Sequence, residues 1–178
     1  MVRREIDLLS AYRVGTVSRV FIRYAVARDA ERLVHDGVLS GATTSGEPWS
    51  GRVLKWLGEQ QAGRRLILVA EDATGLLATV QLVFKFPAGY NDPEAANGMD
   101  IAMIEAMRVR PDAPHGVATQ LITDVQNIAR KRNVKTLTFL LPLNDNRAIA
   151  QAKSWGFQEF RIMPEQGRML AFFRKSVD

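Results

Sequence analysis

Glu105 stands in the middle of an apolar run, between Met103, Ile104, Ala106 and Met107. That run predicts a buried strand from Ile101 to Val109. A carboxylate there is costly unless it is paired or used. Paired, it would answer Arg108 or Arg110; used, its chemistry is proton transfer. Pro111 and Pro114 then stop the strand, because neither can donate to a ladder. His115-Gly116-Val117-Ala118 turns the chain into a helix with apolar residues at Val117, Leu121, Val125, Ile128 and Ala129. The first turn of such a helix carries unpaired N–H groups and the positive end of the peptide dipoles. It is an anion site that a pyrophosphate fits. His115 either contacts phosphate when charged or is a solvent-exposed turn residue. Further on, Asn144, Asp145 and Asn146 either bind a ligand or water, or cap a helix.

Composition removes other chemistries. There is no cysteine among the 178 residues, which excludes disulfides, thiolate nucleophiles and Cys-based zinc sites. The histidines are His35 and His115, so a three-histidine metal site is excluded, and no metal is expected. The 24 Lys and Arg against 19 Asp and Glu give a net charge of +5. That suits an anionic coenzyme, an acidic substrate or nucleic acid, yet nucleic-acid binding needs a clustered stripe. The densest cluster, Arg130 to Lys135, sits at a helix end, where cations stabilise the dipole. No apolar run approaches the ~20 residues that cross a bilayer. Arg3, Arg4, Glu5 and Asp7 are not followed by a signal-peptide core. A cytoplasmic protein without a membrane partner is expected.

The elements that position these residues follow from periodicity. Val20 to Val26 reads as a strand. Asp29 reads as an N-cap, ahead of a helix facing inward through Ala30, Leu33, Val34 and Val38. Residues 40–49 form a loop, and a second helix from Ser50 to Gln61 turns Val53, Leu54, Trp56 and Leu57 inward. Leu66 to Glu71 and Leu76 to Phe86 read as antiparallel strands around the turn Asp72-Ala73-Thr74-Gly75. A long polar loop runs from Pro87 to Asp100, and the Glu105 strand and Gly116 helix follow. Thr136 to Leu141, a helix closing at Gly156, a strand starting at Phe157, and Met169 to Lys175 as the last strand complete the pattern. Strands alternating with helices in the second half imply a mixed sheet with helices on its faces. Residues 1–19 read as an N-terminal extension and residues 20–178 as one domain.

Val109-Arg110-Pro111-Asp112-Ala113-Pro114-His115-Gly116-Val117-Ala118 resembles the central motif of the GNAT acyltransferase superfamily, and Asn144 to Ala150 with Gly156-Phe157 resembles its next block. The resemblance implies an α/β domain with a central, mostly antiparallel sheet flanked by helices and a strand pair splayed to admit the coenzyme. It implies acetyl-CoA as acyl donor, with Met107, Val109, His115, Gly116, Val117, Ala118, Thr119, Asn144 and Asn146 as coenzyme contacts. Backbone N–H groups near Met107 to Val109 would face the oxyanion. Glu105 would be the general base. The acceptor would be a small-molecule or peptide amine, selected by the loop from Ser40 to Trp49; a homodimer stays open. The sequence departs from the pattern twice, with Ala113 at the Arg/Gln position and Ala152 at the position of the usual tyrosine acid. Tyr90 is then the tyrosine best placed to substitute. Two alternatives remain: a GNAT-like domain that binds acyl-CoA or a partner without catalysis, and acylation of a nucleic-acid-linked amine.

Overall fold

The computed structural model describes residues 19–87 and 92–178. Tyr90 and the extension before Arg19 therefore lie outside the described residues. The elements are β1 (Phe21–Tyr24), α1 (Asp29–His35), α2 (Trp49–Gln61), β2 (Arg65–Asp72), β3 (Gly75–Val83), β4 (Ile101–Val109), α3 (Val117–Lys131), β5 (Thr136–Pro142), α4 (Asn146–Ser154), β6 (Gln158–Glu165) and β7 (Arg168–Ser176). The strands form one sheet in the order β1-β2-β3-β4-β5-β7-β6. All neighbours are antiparallel except β4 and β5, which the α3 crossover makes parallel. This is the mixed, mostly antiparallel sheet that the sequence predicts.

Alternation along the strands divides the apolar residues between two layers. Leu68 and Ala70 of β2, with Ile104 of β4, pack against Val117, Leu121, Ile122 and Val125 of α3. Ile67 and Val69 face the other way, onto Leu33 of α1 and Val53 and Leu57 of α2. A third cluster joins Met103 to Val83, Ala95, Ala96 and Phe172 on that second face.

The helical faces are narrower than expected: Val34 and Leu54 are exposed. Each lies one residue beyond a buried position, Leu33 or Val53, and the short helices turn it to solvent. Asp29 is no N-cap but the first residue of α1. Its carboxylate accepts the Val26 N–H at 2.8 Å. That N–H is thereby drawn away from the ladder, and β1 ends at Tyr24 rather than Val26. β3 stops at Val83 because Phe84 and Lys85 both donate to the Arg64 carbonyl.

Two irregularities in β4 bear on function. Thr79 pairs with Arg108 and Gln81 with Glu105, so β4 carries one residue more than β3 between those pairs. Within this bulge Ala106 has φ 51°, a left-handed conformation that costs about 1–3 kcal/mol and clusters at functional sites. The ladder to β5 runs only from Ile101–Thr136 to Ile104–Phe139. Both strands continue past that point without pairing, and a gap opens between them. The splayed pair is present.

Candidate active site

The end of β4 leads into Gly116, whose φ is 91° and which opens α3. A β-carbon there would meet nothing within 4 Å. Its approach face is open, and glycine is required by the backbone angle, not by crowding. No side chain caps α3. Val117 donates to Pro114 at a long 3.4 Å and Gln120 to Gly116 at 3.0 Å, while the Ala118 and Thr119 N–H groups have no backbone acceptor among the described residues. These free donors face a cavity of about 730 Å³ lined by Val109, His115, Gly116, Val117, Ala118 and Thr119. The start of α4 supplies the opposite wall through Asp145, Arg147, Ala148 and Gln151. The fit to an anionic, phosphate-bearing coenzyme is good, because the wall offers backbone donors, arginine and histidine together.

The expected coenzyme contacts are thus only partly brought together. Val109 and residues 115–119 share one cavity. Met107 sits in the bulged part of β4, and Asn144 and Asn146 are exposed; none of the three lines that cavity. Asp145 accepts the Ala148 N–H at 3.0 Å and caps α4. The Thr119 hydroxyl accepts the Trp155 indole N–H at 3.1 Å, pinning α4 to the start of α3. Ala152 is fully buried under α4, so a tyrosine there would face the core. Tyr24, on β1, lines neither cavity.

Glu105 opens onto a second cavity of about 480 Å³, on the face that carries α1 and α2. Met103, two residues earlier and on the same face of β4, lines it with Leu140, Phe86 and Pro87. The carboxylate is held by Arg65, not by Arg108 or Arg110. Arg65 Nη1 donates to Glu105 Oε2 at 3.1 Å, and Nε donates to Glu59 Oε2 at 2.5 Å. The same guanidinium donates to Gln81 and lies 5.6 Å from the Trp56 ring centroid. Gln81 stands directly across from Glu105 in the β3–β4 ladder. The Arg65 side chain is only 5% exposed, the Glu105 side chain 41%. The arginine is therefore fixed, with one carboxylate oxygen committed and Oε1 left for a ligand.

The rest of the cavity is prearranged as well. Glu47 takes Arg52 at 2.7 Å and Lys55 at 2.5 Å. The hydrogen bond from Lys55, then that from Arg52, holds its carboxyl below the usual range. Of the loop from Ser40 to Trp49, Glu47 alone lines the cavity; Thr43 instead ties the loop internally by donating to the Glu47 carbonyl at 2.6 Å. Arg65, Glu59, Gln81 and Glu165 were not legible as site residues. The one available signal was Gln81, a polar residue inside an apolar strand like Glu105. Among the described residues no group of three or more metal-ligating side chains occurs, and no helix is long and apolar enough to cross a membrane.

No protein-family model and no curated protein matches the sequence. Solved structures do match. An N-acetyltransferase from Staphylococcus aureus Mu50 superposes with a TM-score of 0.71 at 18% identity, covering 90% of this chain and 100% of its own. The Salmonella typhimurium protein yncA, solved with its cofactor acetyl-CoA, gives 0.67 at 17% identity over 89% and 94% of the two chains. A ribosomal-protein-alanine N-acetyltransferase from Brucella melitensis gives 0.67 at 21% identity over 88% and 99%. The fold of this chain is the GNAT fold.

Proposed function

We propose that the chain is an acyl-CoA-dependent N-acetyltransferase that transfers acetyl from acetyl-CoA directly to a primary amine. The observation that carries this reading is the course of β4. It joins a carboxylate-bearing cleft to an anion-binding turn, and its pairing with β5 fails between the two. The acetyl-CoA bound to yncA and the shared fold support the same donor. A peptide amine, as acted on by the Brucella melitensis neighbour, and a small-molecule amine are both acceptors of this reading.

Acetyl-CoA supplies an activated thioester carbon. The free N–H groups of α3 bind its phosphates, supported by His115 and Arg147. Ala106 and Met107 have no partner in the ladder to β3, and their backbone N–H groups are the donors this reading assigns to the oxyanion. The cationic amine first gives one proton to solvent, and Glu105 Oε1 takes the second as the neutral amine adds to the thioester carbon. Arg65 is a positioning residue that fixes the other oxygen. The N–C bond forms first, giving a tetrahedral oxyanion, whose collapse restores the carbonyl and breaks the C–S bond. Solvent protonates the departing thiolate, a tolerable leaving group with the acidity of a thiol, pKa ≈ 8.5 for free cysteine. Thiol release and acceptor mass, followed with acetyl-CoA and a panel of amines, test the reading. Amine-dependent release with an acetylated product is expected. Coenzyme binding without turnover of any amine overturns it in favour of a non-catalytic binding domain.

A further inference from the structure

The acceptor cleft carries charges of both signs, and almost all are already matched. Its cations are Arg52 and Lys55, both held by Glu47, and Arg65, held by Glu59 and Glu105. Glu165, at the end of β6, lines the same cavity. Its carboxylate makes no hydrogen bond or ion pair among the described residues. The cleft therefore presents a ligand with one open oxygen each on Glu59 and Glu105, both beside Arg65, and with the whole of Glu165, the one carboxylate of the lining without a cation. In sheet order β5 and β7 lie between β4 and β6, and the lining between Glu105 and Glu165 includes Met103 of β4 and Leu140 of β5. Arg168 of β7 stands opposite Glu165 in the ladder but makes no ion pair with it among the described residues. An acid, an apolar floor and a second acid complement a cation, an alkyl chain and a second cation. A cavity of about 480 Å³ is at the small-molecule scale.

We infer that the acceptor is a small diamine or polyamine, with the reacting amine at Glu105 and a distal ammonium on Glu165. This rests on the acetyltransferase reading and adds the substrate class to it. Glu165 selects the acceptor and takes no part in bond making.

The test compares alkyl diamines of graded length with the monoamine and the amino acid of each length. Turnover is measured as kcat/KM, and amine binding by calorimetry, on the full chain and on Glu165→Gln. At the best length the diamine should exceed the monoamine by about tenfold, ~1.4 kcal/mol, and the amino acid should be poorest. Glu165→Gln should bring the diamine down to the monoamine and leave the monoamine unchanged. Diamine and monoamine turned over equally, or both lowered equally by the substitution, overturn the assignment while the acetyltransferase reading stands. Glu165-dependent diamine binding without any turnover overturns acetyl transfer and keeps the diamine site. Efficient acetylation of a peptide amine with no diamine preference shows a macromolecular acceptor and overturns the proposal.

Discussion

Arg23 and Arg65 both bridge carboxylates across this sheet, and the surroundings give the two bridges different work. Arg23 of β1 holds Asp29 at 2.7 Å and Glu71 at 2.8 Å. Arg32 closes the set from α1, at 3.4 Å from Asp29 and 3.3 Å from Glu71. Asp29 is fully buried and also accepts the Val26 N–H, so its lone pairs are occupied. Arg65 of β2 gathers Glu59 and Glu105 in a similar way, but Glu105 is 41% exposed into a cavity. The first network joins β1, α1 and β2, and none of its members lines either cavity. The second joins α2, β2, β3 and β4 and engages only one oxygen each of Glu59 and Glu105. Residue types are shared; access to a cavity separates the closed cluster from the one proposed to react.

Breaking the closed network should cost the most stability. Asp29→Asn removes the charge of the fully buried carboxylate that Arg23 and Arg32 share, and urea unfolding should show a loss of about 3 kcal/mol, with kcat per folded molecule unchanged. A comparable loss of kcat would mean that the two networks are not separate. At the far end of β4, Gly116→Glu places an anion and a strained left-handed residue at the proposed phosphate turn. Calorimetry should show acetyl-CoA bound at least about tenfold more weakly, ~1.4 kcal/mol, while His115→Ala changes affinity far less. Equal affinities for both variants would remove the phosphate-turn assignment.

Arg65→Lys sharpens the contrast from the open side. A lysine cannot reach Glu59, Gln81 and Glu105 together, so Glu105 loses its anchor. An effect of about tenfold on kcat/KM is expected, carried by kcat, with acetyl-CoA affinity retained. Loss of coenzyme affinity instead would make Arg65 a purely structural bridge. The smallest effect is acid sensitivity. Burial would raise the Asp29 carboxyl, but the hydrogen bonds from Arg23 and the Val26 N–H outweigh it and lower it. Glu71 is lowered chiefly by Arg23. Both folded pKa values lie below the unfolded ones, so this stabilisation is full above the ordinary carboxylate range of ~4 and fades as pH falls through and below it. An Asp29→Asn, Glu71→Gln double variant should lose less stability than the wild type between neutral pH and pH ~3. An equal loss would place the acid-labile groups elsewhere.

The fold was legible because hydrophobic period and turn chemistry agree along the chain. Gly116 between Pro114 and Val117, and the apolar spacing of α3, predicted the strand–turn–helix in its observed place. Glu105 was legible as an anomaly within β4. Its partner was not. Arg65 is forty positions away in the sequence, and only the β2–β3–β4 register sets Gln81 across from Glu105 and Arg65 beside them. Arg108 and Arg110 were closer along the chain, but Arg110 is engaged by Asp112, Thr74 and the Leu76 carbonyl. Asn144 and Asn146 were indistinguishable from Asp145 by type. The helix start at Asn146 turns Asp145, Arg147 and Gln151 to the cavity instead.

The central claim is that the open network performs proton transfer, and Glu105→Gln tests it most directly. The substitution keeps shape and removes basicity. With a competent amine acceptor and saturating acetyl-CoA, kcat should fall by roughly 10²–10⁴-fold, while the urea midpoint and acetyl-CoA affinity stay near those of the wild type. An unchanged kcat, with an unchanged acidic limb in its pH profile, would contradict the account and leave Glu105 as a second structural ion pair.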